Sequence, residues 1–166
     1  RDERAYRNLL LVEQPNGDFA VTMLKQFFYD AWHFAVLQGL SQSQDPRIAG
    51  IAAKALKEVT YHLRRSGEWV QRLGGGTEES RQRMLTAVAL LWRSTVELAA
   101  GSDAELRLAE AGIGADPAQV GAAWLKQVSA IFASVELPLP IAANPFYLCG
   151  RTGLHSEHLG LLQAEV

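Results

Sequence analysis

An all-α fold is what this sequence predicts, and three observations carry it. Apolar residues recur at three- and four-residue spacing over long stretches, and no stretch alternates apolar and polar residues with the period of a strand. Asp, Ser or Thr stands ahead of most of the periodic stretches, where a side-chain oxygen can cap a helix. With 166 residues, 48% of them hydrophobic, the chain is long enough for one domain with a full core over 1–166.

The elements follow in order. Residues 2–12 read as a short helix ending in Leu9-Leu10-Leu11-Val12. Pro15-Asn16-Gly17 is a turn, and Asp18 caps a helix over 19–41. Asp45-Pro46 is a cap followed by a first-turn proline, whose missing N–H does no harm there. The helix it opens runs to Leu73 and stops at Gly74-Gly75-Gly76. Thr77 caps a fourth helix ending near Gly101. Ser102 and Glu105 have the spacing of a capping box, and the short helix they start closes at Gly112. Asp116-Pro117 opens a helix to about Glu136. The stretch 137–153 holds three of the six prolines and no helical period, which predicts an ordered loop, and a last helix begins near His155.

The buried stripes carry the functional question. In the helix over 19–41 the stripe is Phe19, Met23, Gln26, Asp30, His33, Leu37 and Leu40, apolar at both ends and polar in the middle. In the next helix it is Ile48, Ala52, Ala55, Val59, His62, Ser66, Trp69 and Leu73, with Glu58 beside it. The fourth helix has an ordinary core stripe of Met84, Val88, Leu91, Thr95 and Leu98. Two neighbouring helices thus place polar groups at similar depth, and burying each without a partner costs roughly 2–7 kcal/mol.

Asp30, His33, Glu58 and His62 are two carboxylates and two imidazoles on adjacent helices, a donor set suited to iron, manganese or zinc. The other reading is a buried polar network without an ion, in which Lys57 supplies the charge partner. A two-metal bundle uses Glu-x-x-His on its helices, and here the residue three before His62 is Val59. His155-x-x-His158 could bind a metal but reads more simply as the polar start of a helix. Gly74-Gly75-Gly76 lacks the strand and the lysine of a phosphate loop, and Cys149 has no His or Asp partner in sequence.

A formal net charge of −2 gives no reason to expect nucleic acid. No apolar run has membrane-spanning length and none reads as a signal peptide. A single cysteine excludes an internal disulfide and fits a cytoplasmic setting.

Four stretches resemble a known family. They are Asn8-Leu9-Leu10-Leu11-Val12-Glu13-Gln14-Pro15-Asn16-Gly17-Asp18-Phe19-Ala20, Tyr29-Asp30-Ala31-Trp32-His33, Lys57-Glu58 with Tyr61-His62-Leu63-Arg64, and Gly153-Leu154-His155-Ser156-Glu157-His158-Leu159-Gly160. In this order they resemble the C subunits of bacterial phenylacetyl-CoA epoxidases over essentially the whole chain. The resemblance implies a ferritin-like four-helix bundle with additional short helices. It also implies a non-catalytic role as the scaffold of the catalytic A-type subunits, whose di-iron site epoxidises the aromatic ring, with a reductase among the other components. There, one Lys-Glu-Glu-x-Phe-His stretch supplies a Glu and a His to iron. Laid on this chain, the His is His62, the ligand Glu is Val59, and Asp30 falls near the carboxylate of the preceding helix. Valine cannot bind a cation. The expectation is therefore no metal and no cofactor here, and a buried network of Asp30, His33, Lys57, Glu58 and His62 around Val59. The alternative is a free-standing di-metal oxidase or hydroxylase liganded by Asp30, His33, Glu58 and His62. A plain helical interaction domain requires those polar groups to be solvent-exposed. The chain starts at Arg1 without a methionine, and the resemblance implies a further core helix ahead of that point. The apolar face then left open is expected to be covered by a separate piece or by homo-oligomer contacts.

Overall fold

A computed structural model describes residues 2–141 and 149–164. Among the described residues there is no strand. The helices are α1 (Leu10–Glu13), α2 (Phe19–Leu40), α3 (Pro46–Gly74), α4 (Glu78–Leu91), α5 (Asp103–Glu110), α6 (Pro117–Ser134) and α7 (His158–Ala164), with short 3₁₀ segments between some of them.

The predicted caps form. Asp18 accepts from the Val21 amide, Asp45 from Arg47 and Asp116 from Ala118, each at 2.9–3.0 Å. Thr77 accepts from Ser80, and Ser102 with Glu105 makes a reciprocal capping box.

α2 is the central helix, packed along α3 and also against α4 and α6. It is apolar nearly all round, as a helix with neighbours on several sides must be. Phe28 holds the centre of the core, with ring centroids 5.5 Å from Trp124, 5.9 Å from Trp92 and 6.1 Å from Phe132. Trp124 donates its indole N–H to the Phe28 carbonyl at 2.9 Å, so its one polar side-chain atom is satisfied. Gly121 lets α6 approach the segment after α4: a Cβ there would lie 2.3 Å from that of Ala99. A second, smaller apolar cluster of Leu37, Ala52 and Val59 closes the other end of the α2–α3 pair.

The stripe of Met84, Val88, Leu91, Thr95 and Leu98 is buried as expected, its last two members beyond the end of α4. The α2 stripe is buried only in part, at Asp30 and Leu37. The buried face runs through Ala20, Leu24, Phe27, Phe28, Ala31 and Ala35, which leaves Phe19 and Gln26 exposed.

Four boundaries differ from the sequence expectation. Residues 2–12 are not one helix but a 3₁₀ turn at Glu3–Ala5 and the single turn of α1. Leu9, Leu10 and Leu11 are all buried, and the Leu10 amide donates to the Glu97 carboxylate instead of to a carbonyl one turn back. The α-helical part of the fourth helix stops at Leu91 and tightens into a 3₁₀ segment, Trp92–Ala99, which buries Ser94, Thr95, Glu97 and Leu98 together. α6 ends at Ser134, two residues early, because Glu136 adopts a left-handed conformation (φ 54°). α7 begins at His158 because His155 and Ser156 are turned inward to Glu13. The expected loop over 137–153 lies outside the described residues at 142–148.

Candidate functional site

The polar groups of α2 and α3 meet at Asp30. This residue is 3% exposed. One oxygen accepts from Gln26 Nε2 at 2.7 Å, one turn back on α2. The other accepts from Ser66 Oγ of α3 at 2.8 Å. Ser66 also lies 3.0 Å from the His62 carbonyl, but its single proton goes to the stronger acceptor, the carboxylate. Both oxygens of Asp30 are thus occupied by neutral donors.

Around this pair lies a cleft of about 310 Å³ whose walls include Met23, His62, Arg65 and Trp69. His33 stacks near Tyr29, with 5.5 Å between ring centroids. Burial lowers the pKa of His33 below 6.5. The Asp30 charge opposes that effect, and His62 adds to it. His62 is half-exposed and lies 3.6 Å from Glu58 in an i, i+4 pair.

The expected network is only partly assembled. Asp30 is buried and His33 is half-buried close to it, as the stripe predicts. Lys57 and Glu58 are not in a buried network: both are exposed on the outer side of α3, and Glu58 is 80% exposed. α3 is sharply amphipathic, so residues one and two positions before Val59 rotate out to solvent. Val59 is 6% exposed and packs with Leu37 and Ala52. The partners that Asp30 does have, Gln26 and Ser66, stood on the predicted stripes, and their place at the depth of Asp30 was the available signal. Among the described residues, no three His, Cys, Asp or Glu side chains are grouped so as to hold a metal.

A second polar set, built on the buried Glu13 and Glu97 and the partly exposed Glu105, fastens residues 149–156 to the bundle. Glu13 is 1% exposed. It accepts from Asn8 at 2.8 Å, from His155 Nδ1 at 2.5 Å, and from the amide and hydroxyl of Ser156 at 2.8 and 2.6 Å. Glu97 accepts from the amides of Leu10 and Gly150 (the latter at 3.0 Å). Burial raises the Glu97 pKa, and these two amides pull against that rise. Gly150 is needed there, since a Cβ would lie 1.9 Å from the Asn8 carbonyl oxygen. Glu105 pairs with Arg151. Burial works to raise the Glu105 pKa, but its bonds to Ser102 and Arg151 together hold it low. His155 is therefore a structural partner of Glu13 placed before the helix, not part of its first turn. Cys149 is partly buried beside Glu97.

A helical bundle whose two central helices are joined through a buried carboxylate and a serine has the architecture of a ferritin-like bundle. The chain matches the phenylacetic acid catabolic protein family over residues 1–166 and belongs to it. It is 48% identical over 166 residues to the C subunit of the 1,2-phenylacetyl-CoA epoxidase of Escherichia coli (strain K12). That similarity covers 100% of this chain and 66% of the relative, so the chain spans just under two thirds of that relative's length.

Proposed function

We propose that this chain is a non-catalytic, structural subunit of a multicomponent phenylacetyl-CoA epoxidase, scaffolding a di-iron catalytic subunit of the same family. One observation carries the reading. Where a two-metal bundle presents Glu-x-x-His, Val59 packs into an apolar cluster and Asp30 is occupied by Gln26 and Ser66. Carboxylates that hold iron need free oxygens facing a shared centre, and Glu58 faces solvent instead. The donor set here does not fit a di-iron group, so in this proposal the di-iron cofactor belongs to the partner subunit.

The outer side of α3 supports a docking role. Ile51 is 71% exposed and Tyr61 54%, and both lie on the same side of the helix as Lys54 and Arg65. The reading places the protein in the cytoplasm, as one domain, in contact with the catalytic and other subunits, and self-associating when isolated. No described helix is long and apolar enough to cross a membrane.

The test is co-expression with a catalytic subunit, followed by metal analysis and turnover assays of each chain alone and of the pair. The expected result is iron in the partner only, and turnover that depends on both chains. About two irons per copy of this chain, or oxygen-dependent turnover by it alone, would overturn the reading.

A further inference from the structure

We propose that the solvent-facing stripe of α3 from Lys54 to Arg72 docks an acidic protein face. The proposal rests on the subunit reading above, by which that face belongs to the catalytic partner.

Positive charge is concentrated on this one helix. α3 carries six Lys and Arg against two Glu, a surplus of four in a chain whose formal net charge is −2. The helix buries Val59 on one side, and the helical repeat turns Lys54, Lys57, Tyr61, Arg64, Arg65 and Arg72 to the other, where all six are exposed. At the rise of an α-helix they form a row about 27 Å long. Little inside the molecule neutralises it. Glu68 lies 4.0 Å from Arg64, and Glu58 sits beside His62. Among the described residues, no carboxylate pairs with Lys54, Lys57, Arg65 or Arg72.

Two of the guanidiniums are laid on rings. Arg64 lies 5.7 Å from the Tyr61 centroid, and Arg72 lies 5.3 Å from that of Trp69. A stacked guanidinium has given up side-chain freedom before binding and keeps its N–H edge for a carboxylate. Arg, Tyr and Trp are also the residue types that carry most of the energy in protein interfaces.

The same observations argue against other occupants. A second copy docked symmetrically would set this stripe against itself, like charge on like. Nucleic acid would bring an unbroken row of phosphates onto Glu58 and Glu68 as well as onto the cations. A membrane surface needs apolar side chains to insert, and the large aliphatic residue exposed on α3 is Ile51 alone. A folded protein face can set acids opposite the cations and avoid the two carboxylates.

The test is calorimetric titration of the whole chain with the separately purified catalytic subunit at about 50 and about 300 mM NaCl. A double-stranded DNA of about 20 base pairs is titrated alongside. The wild type is expected to bind the catalytic subunit at least about tenfold more weakly at the higher salt. Lys54→Glu/Lys57→Glu changes two exposed residues that have no ion pair to lose. It is expected to weaken binding at low salt at least about tenfold, with an unchanged circular dichroism melt. Arg107→Glu/Lys126→Glu makes the same change in net charge at exposed positions of α5 and α6, and is expected to keep wild-type affinity. Should the α3 variant melt early, Lys54→Gln/Lys57→Gln decides, with an expected loss of at least about threefold. Salt-independent binding, equal losses in the α3 and control variants, or wild-type affinity in the α3 variants would each overturn the proposal and leave the subunit reading standing. Tighter binding of the DNA than of the catalytic subunit would mark a nucleic-acid surface and overturn the proposal too. A wild type that binds no catalytic subunit at either salt would overturn the subunit reading and the proposal with it.

Discussion

Ser66 on α3 donates to Asp30 on α2 at 2.8 Å, and this hydrogen bond joins the two central helices at mid-depth. It satisfies a buried carboxylate with a hydroxyl where a metal-binding bundle uses a cation. Asp30→Ala strands Gln26 at one side and leaves a void at the other. The expected cost is about 1–3 kcal/mol, read from urea unfolding midpoints. Ser66→Ala, which removes one donor and leaves Gln26 in place, is expected to cost less than Asp30→Ala.

Val59→Glu restores the Glu-x-x-His spacing in sequence but puts a carboxylate into the Leu37–Ala52 cluster. An uncompensated buried charge costs about 3–5 kcal/mol, so the variant should unfold at markedly lower urea in metal-free buffer. Equal stability of Val59→Glu and wild type would show that this position is open to solvent.

Two groups give opposite pH dependences. His33 has a pKa below its ordinary 6.5 in the folded state, so it is more easily protonated when unfolded. Its contribution is full above 6.5 and is lost as pH falls through the lowered folded value. Glu97 has a pKa above its ordinary 4.5, so its contribution is full below 4.5 and is lost as pH rises through the raised value. Between about pH 7.5 and 5.5 the His33 effect should lower wild-type stability, and His33→Gln should flatten that slope. Denaturation curves at both pH values, with the His33 ring proton followed by NMR, provide the check.

Glu13→Gln keeps the size of the side chain but can no longer accept from Asn8, His155 and Ser156 together. Local rather than global opening is expected. Amides at 154–160 should exchange at least about tenfold faster, while those of α2 and α3 hold their protection. Uniform acceleration across all helices would show instead that Glu13 supports the whole bundle.

The caps at Asp18, Asp45, Thr77, Ser102 and Asp116 were legible because capping is local: a side-chain oxygen and an amide two or three residues on. The stretch 2–12 was not, because the Leu10 amide bonds Glu97 from 87 residues away. Nor was the 3₁₀ segment Trp92–Ala99, whose winding follows from burying Glu97 and from Trp92 packing on Phe28 and Trp124. At the site, Asp30 is legible as a buried polar residue, but the network expected around it is His33, Lys57, Glu58 and His62, whereas its hydrogen-bond partners are Gln26 and Ser66. α2 is apolar on most sides, so its sequence does not fix which face turns to α3, whereas the strong amphipathicity of α3 does place Lys57 and Glu58 outside.

The hold of Glu97 on Gly150 also makes the molecule easy to observe. Cys149 is the only thiol in the chain and directly precedes the residue that Glu97 grips. A nitroxide or fluorophore attached there needs no engineered site. It would register any loosening of residues 149–156 as a change in label mobility, in the isolated chain and in an assembled complex alike.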